Sequence, residues 1–198
     1  MVDCGIANFV LPGQHESGDR HLVTCSQDRV LIAAIDGLGH GEDAANAAKT
    51  AKSILQERAD EPIVSLVQQC DAKLRRTRGV VLSLAAVDTS RGVMTWLGVG
   101  NVRAVLMRAS ATGGDMRETL LLRGGVVGSQ LPVLRASVLP IARGDTLYFV
   151  TDGVRSEFAE TLTALENPQR AADRILARFQ NGTDDALVLV TRLTGIRS

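Results

Sequence analysis

The run Val30-Leu31-Ile32-Ala33-Ala34-Ile35 ends in Asp36-Gly37-Leu38-Gly39-His40-Gly41 and passes into an alanine-rich stretch. A strand that stops at Asp-Gly and turns through glycines into a helix fixes one carboxylate at the edge of a sheet. Two further acidic sites are built alike. Thr151-Asp152-Gly153 follows Leu147-Tyr148-Phe149-Val150, and Asp184-Asp185 precedes Ala186-Leu187-Val188-Leu189-Val190. Three acidic sites at strand tips, far apart in sequence, suggest a hard-metal centre assembled by the fold. Carboxylate oxygens without neighbouring nitrogen or sulfur ligands suit magnesium or manganese.

A chain of 198 residues, 45% hydrophobic, can bury one full core, and a single domain over 1–198 is expected. Lys+Arg and Asp+Glu balance at 22 each, which gives no electrostatic reason to bind nucleic acid or an anionic membrane. Aromatic residues make up 3%, too few to form a stacking platform for bases. No apolar stretch approaches the ~20 residues of a membrane span, and no basic-then-apolar signal opens the chain. Cys4, Cys25 and Cys70 form no CxxC pair. Reduced thiols in a cytoplasmic, monomeric protein are expected, with the cysteines acting as small buried apolar groups.

The apolar periods predict strands at Val2–Leu11, His21–Ser26 and Val30–Ile35, the last two joined as a hairpin through Gln27-Asp28-Arg29. A helix is expected from Gly41 to Arg58 on the stripe Ala44, Ala48, Ala51 and Leu55, with Glu42-Asp43 favoured in its first turn. Pro62 opens a second helix carrying Ile63, Leu66, Val67, Cys70 and Leu74. Strands follow at Gly79–Val87, Val93–Val99, Val102–Met107 and Glu118–Leu122, with turns at Asp88–Gly92 and Gly98–Asn101 and a small polar loop over Ala109–Asp115. Ala136–Leu139 and Thr146–Val150 are strands, Pro168–Phe179 a third helix and Ala186–Leu193 a last strand. Runs of strands separated from runs of helices indicate an α+β fold, two sheets with helices packed outside.

Any one of these acids alone could serve a turn or a helix cap. Together they say more, because adjacent like charges are easiest to hold beside a cation. Asp19, in Glu16-Ser17-Gly18-Asp19, is a fourth candidate. His40 could be a proton donor, a substrate contact or a helix-start residue. His15 and His21 read as surface histidines, and Arg20 and Arg103 as solvated arginines.

Gly18-Asp19, Asp36-Gly37-Leu38-Gly39-His40-Gly41, Thr151-Asp152-Gly153 and Asp184-Asp185, in that order and spacing, resemble the metal-dependent PP2C Ser/Thr phosphatases. The likeness is greatest to their small bacterial branch, with SpoIIE and RsbU, and to its RsbX type. Gly98-Val99-Gly100-Asn101-Val102-Arg103 resembles the family's glycine-asparagine turn, and Val127-Gly128 lies where the branch has its later glycine. The resemblance implies an αββα sandwich holding two Mn2+ or Mg2+ ions. Asp36 would bridge the ions, the Gly37 carbonyl would ligate one, and Asp152 and Asp184 would bind the second. Asp19 would hold a coordinated water or a weaker third ion. Asp184 is preferred to Asp185 because the family's ligand is the first acid of that pair.

The departures are specific. Leu38 stands where the large eukaryotic members have histidine directly after the Asp-Gly, so a general-acid role does not pass simply to His40. No arginine precedes Asp19, and Leu187 replaces the usual hydroxyl residue after the second acidic pair. The resemblance implies dephosphorylation of phospho-Ser or phospho-Thr on phosphorylated STAS-domain proteins of the stressosome. The alternatives are another regulatory phosphoprotein, such as an anti-sigma factor antagonist, or a catalytically silent binding module. A haloacid dehalogenase chemistry would need a second Asp two residues from Asp36, where Ala34 and Leu38 stand.

Overall fold

The computed structural model describes residues 2–109, 117–163 and 166–195. Ten strands are described: β1 (Val2–Phe9), β2 (Asp19–Cys25), β3 (Arg29–Gly37), β4 (Val80–Asp88), β5 (Val93–Val99), β6 (Arg103–Met107), β7 (Arg117–Thr119), β8 (Ser137–Pro140), β9 (Thr146–Val150) and β10 (Ala186–Leu193). The helices are α1 (Glu42–Glu57), α2 (Ile63–Leu74) and α3 (Pro168–Phe179), with a short 3-10 helix over Ser156–Thr161. One antiparallel sheet runs β1-β10-β9-β6-β7 and the other β2-β3-β4-β5-β8. The α+β sandwich expected from the sequence is the one observed.

Period two sorts β3 into its two faces. Leu31, Ala33 and Ile35 join the cluster under α1 and α2, while Val30, Ile32 and Ala34 face the opposing sheet. Asp36 continues the second series, so the same alternation that builds the core aims its carboxylate between the sheets. In β9, Leu147 and Phe149 face inward and Tyr148 and Val150 meet α3; Thr151 follows on the inward side. Three apolar layers result: helices on sheet, sheet on sheet, sheet on helix.

The helix stripes read from the sequence are buried. Ala44, Ala48, Ala51 and Leu55 of α1 and Ile63, Leu66, Val67, Cys70 and Leu74 of α2 are in the core. Small side chains let α1 approach closely: a Cβ on Gly37 would sit 2.0 Å from the Ala44 carbonyl oxygen. Asn167 caps α3, accepting from the Arg170 N–H at 3.2 Å, and Pro168 fills its first turn.

The structure corrects several readings. The turn read at Gly98–Asn101 proves to be a crossing: β5 and β6 lie in different sheets, and the chain passes between them at Gly100, with φ 93°. The buried Ser83 hydroxyl holds the crossing by donating to the Val102 carbonyl at 2.6 Å. The segment read as a strand over 118–122 is strand only at Arg117–Thr119. Cys70 is buried, but Cys4 is half-buried and Cys25 exposed, so two of the three cysteines are not core residues. Most of the loop expected over 109–115 lies outside the described residues. No described helix is long and apolar enough to cross a membrane.

Candidate active site

Asp19 and Asp36 are register partners across the β2–β3 ladder. The other acids come from the opposite sheet: Asp152 follows β9, and Asp184 and Asp185 precede β10. The fold therefore brings all the sequence-read acids to one end of the sandwich, at the seam between the sheets. Asp36, Asp152 and Asp184 line a cleft of about 470 Å³ together with Leu38, Gly39, Asn101 and Gly124 to Val126. A larger hollow, about 540 Å³, lies at the opposite end beside Arg29, Ile63 and Asp88 and contains none of these acids. The chemistry follows the smaller cleft, because donor groups rather than volume define a reactive site.

Asp19 is buried and accepts from the Thr151 hydroxyl at 2.8 Å, which in turn accepts the Leu187 N–H at 2.8 Å. Burial pushes Asp19 up to about 7; the Thr151 hydrogen bond opposes this, and the charges of Asp185, Asp152 and Asp184 add to it. Burial, then the neighbouring Asp19, Asp152, Asp184 and Asp185, pushes Asp36 up to about 9. Asp184 is also raised, first by burial, with His40 acting in the opposite direction. Burial and mutual repulsion make this a group of carboxylates that a cation would stabilise.

The two adjacent acids differ. Asp185 is buried with both oxygens engaged, accepting the Leu11 N–H at 2.8 Å and the Gly18 N–H at 2.6 Å. It ties down the loop that delivers Asp19. Asp184 is half-buried, accepts its neighbour's N–H at 2.8 Å, and lines the cleft. The side-chain amide of Asn101 donates to Asp152 at 2.8 Å, and that of Asn181 to the Asp152 carbonyl at 3.3 Å. His40 is exposed, its Nδ1 3.3 Å from the Gln14 amide, and it does not line the cleft.

The donor set is all oxygen, hard and anionic, as magnesium and manganese require. Among the described residues no three His, Cys, Asp or Glu side chains close into a ready cage. The acids instead surround an open cleft, which fits a small divalent ion that keeps several waters. Glycine is required beside them: Gly39 and Gly41 adopt φ of 85° and 78°.

Sequence reading missed the partners. Thr151 and Asn101 belong to motifs already singled out, but their bonds to Asp19 and Asp152 span 132 and 51 residues. The arginines read as solvated are not. Arg20 donates to the Ser17 and Asp19 carbonyls at 2.6 and 2.7 Å, and Arg103 to the Val154 carbonyl at 3.1 Å. His21 is half-buried, and burial lowers its pKa.

A family model described as Stage II sporulation protein E (SpoIIE) matches residues 26–194. The phosphoserine phosphatase RsbX of Bacillus subtilis (strain 168) is 27% identical over 94 residues, which are 48% of this chain and 47% of that protein. The match thus spans about half the length of that curated relative. A solved structure concerning the bacterial stressosome, a modular system adapted to control secondary messenger signaling, superposes with a TM-score of 0.88 at 26% identity. It covers 97% of this chain and 100% of the other. RsbX in complex with magnesium superposes at 0.86 with 19% identity, over 98% and 96% of the two chains. The PP2C phosphatase domain of SpoIIE from Bacillus subtilis gives 0.78 at 20% identity, over 100% of this chain and 64% of that one. The last two are likenesses of fold.

Proposed function

The chain belongs to the SpoIIE family, and from that premise we propose that it is a metal-dependent phosphatase acting on phosphoserine or phosphothreonine of a regulatory protein. The observation that carries this reading is the meeting of Asp36 from one sheet with Asp152 and Asp184 from the strand ends of the other around a single cleft, with the buried Asp19 opposite Asp36 in the ladder. In this reading water is the attacking group, and the cleft lining holds no His, Cys or Ser.

Asp36, the Gly37 carbonyl, Asp152 and Asp184 are the residues that would hold two Mn2+ or Mg2+ ions. Bound divalent ions supply water acidified toward neutrality and neutralise charge on the phosphoryl oxygens. Asp19, fixed by Thr151, accepts a proton or a hydrogen bond at the attacking side. Asn101 orients Asp152, and Asp185 anchors the loop beneath. His40 stands outside the cleft beside Asp184, where it can protonate a leaving group only after moving inward.

The substrate we propose is a phosphorylated STAS-domain protein of the stressosome, in keeping with the RsbX and stressosome relatives. The open cleft suits a folded protein that brings its own surface. The whole of 1–198 is taken as one catalytic domain. The test is hydrolysis of an aryl phosphate, then of phosphorylated STAS-domain proteins, in EDTA, magnesium and manganese. Metal-dependent release of phosphate by the wild type, absent in Asp36→Asn, is expected. No turnover on any substrate, together with no metal binding in a calorimetric titration, would instead indicate a silent binding module.

A further inference from the structure

A phosphoprotein carries a dianion toward a cleft lined with carboxylates, and Arg20 and Arg103 are committed to backbone carbonyls. Arg78 is placed differently. It comes from the connection between α2 and β4, and its guanidinium lies against Gly39, a residue of the cleft lining. A Cβ on Gly39 would stand 2.7 Å from Nη1, so the absence of a side chain there makes the space that Arg78 occupies. The carbonyl of the next residue, Gly79, accepts the Leu38 N–H at 3.1 Å. The segment carrying Arg78 is therefore stitched to the loop carrying Asp36. On its outer side Nη2 pairs with Asp43 at 3.1 Å, and both side chains are largely exposed, 50% and 70%. Arg75 and Arg76 precede it, both exposed, so the connection forms a basic rim.

We propose that Arg78 holds the substrate, leaving Asp43 to close on an oxyanion of the phosphoprotein: either the phosphoryl group or a carboxylate flanking it. This rests on the phosphatase reading above. An exposed ion pair holds its partners weakly, so Asp43 is readily exchanged. A guanidinium offers a planar fork of donors that fits phosphate and carboxylate alike, which an ammonium does not.

The test is calorimetric binding, with magnesium present, of two peptides bearing a non-hydrolysable phosphonate analogue of phosphoserine, one flanked by Glu and the other by Gln. Arg78→Ala should weaken binding about tenfold, and Arg78→Lys should recover part of the loss. Asp43→Asn breaks the same ion pair yet should bind as tightly as wild type or more so, an opposition that a purely structural pair would not give. A loss confined to the Glu-flanked peptide assigns the flanking carboxylate; equal loss on both assigns the phosphoryl group. Unchanged affinity in Arg78→Ala, a parallel loss in Asp43→Asn, or no binding by the wild type overturns the inference. Turnover of aryl phosphate and of phosphorylated STAS-domain proteins, measured alongside, judges the phosphatase reading separately: Arg78-dependent binding without turnover of either would sink that reading and leave Arg78 as a phosphopeptide-binding residue rather than a substrate-holding one.

Discussion

The β3–β4 ladder carries a carboxylate near each end, and the protein treats the two in opposite ways. Asp88 lies opposite Arg29, and Asp36 lies opposite Val81. Asp88 Oδ1 accepts from the Ser90 hydroxyl at 2.7 Å and from the N–H groups of Arg91 and Ser90 at 2.9 and 3.1 Å. The Ser90 hydroxyl above all, with these amides, holds Asp88 below the usual carboxylate range. Its charge is satisfied by the turn that follows it. Asp36 is followed by glycines that offer no such hydroxyl, faces Asp19 across the ladder, and is driven up to about 9. Asp at a strand tip is therefore ambiguous until its donors are known. Where residues two and three positions on supply them, the acid makes a turn; where another acid faces it, the acid calls for a cation.

The sharpest way to break this contrast is to neutralise each acid. Asp36→Asn should lower kcat at least ~100-fold, the scale for removing one charge-stabilising group from a reaction centre. Asp88→Asn should leave the rate within about twofold, its effect confined to the turn. Phosphate release from an aryl phosphate reads both. Comparable losses in the two variants would erase the distinction.

The next effect is on stability. Thr151→Val keeps shape but removes the donor to Asp19 and the acceptor for the Leu187 N–H. Leaving buried polar groups unpaired costs roughly 1–3 kcal/mol each, so denaturant unfolding should show a loss of about that size. A smaller loss, within ~0.5 kcal/mol as for an unconstrained surface change, would show that the hydroxyl is dispensable.

The pH dependence should separate the two ends of the molecule further. In the metal-free fold Asp36 and Asp19 bind protons more tightly than in the unfolded chain, where a carboxylic side chain titrates near ~4. The folded state then holds more protons, and its stability falls as pH rises from ~4 through the raised values. Asp88, lowered by its turn, adds stability above its unfolded pKa and loses it only in acid. Melting temperatures in EDTA should therefore decline from pH 5 to pH 9, and magnesium should flatten that decline. A rise in EDTA over the same range would contradict the described electrostatics. The smallest expected change is in Asn101→Ala, which frees Asp152 from one donor. A net hydrogen bond to a charged group is worth ~1.5–3 kcal/mol, less for an exposed acid, so a several-fold higher magnesium requirement is the expected titration result.

Much of this was legible in the sequence. The Asp-Gly that ends the apolar run Val30–Ile35 placed Asp36 at a sheet edge, and the alanine spacing marked the side of α1 that packs. Pro168–Phe179 and Ala186–Leu193 carried their boundaries in a proline turn and an unbroken β-branched and leucine run. The rest depends on contacts that no local pattern encodes. The crossing from β5 to β6 looks like a hairpin turn because the same Gly-Asn chemistry serves both. The roles of Thr151 and Asn101 arise from neighbours brought in by the sandwich. Arg20 read as solvated because a carbonyl partner leaves no mark in composition.

Because Asp19 and Asp36 belong to one sheet while Asp152 and Asp184 belong to the other, an ion held among them is a rivet through two plates. Its binding would oppose the sheets' separation as well as serve the reaction, since a ligand that binds only the folded form stabilises that form. Amide protons of β2, β3, β9 and β10 near the rivet should exchange together, as one cooperative unit, and that unit should open less often the more tightly the ion is held. An ion bound as proposed would be a structural fastener as well as a reagent, and its loss would soften the fold in the same place that it stopped the proposed reaction.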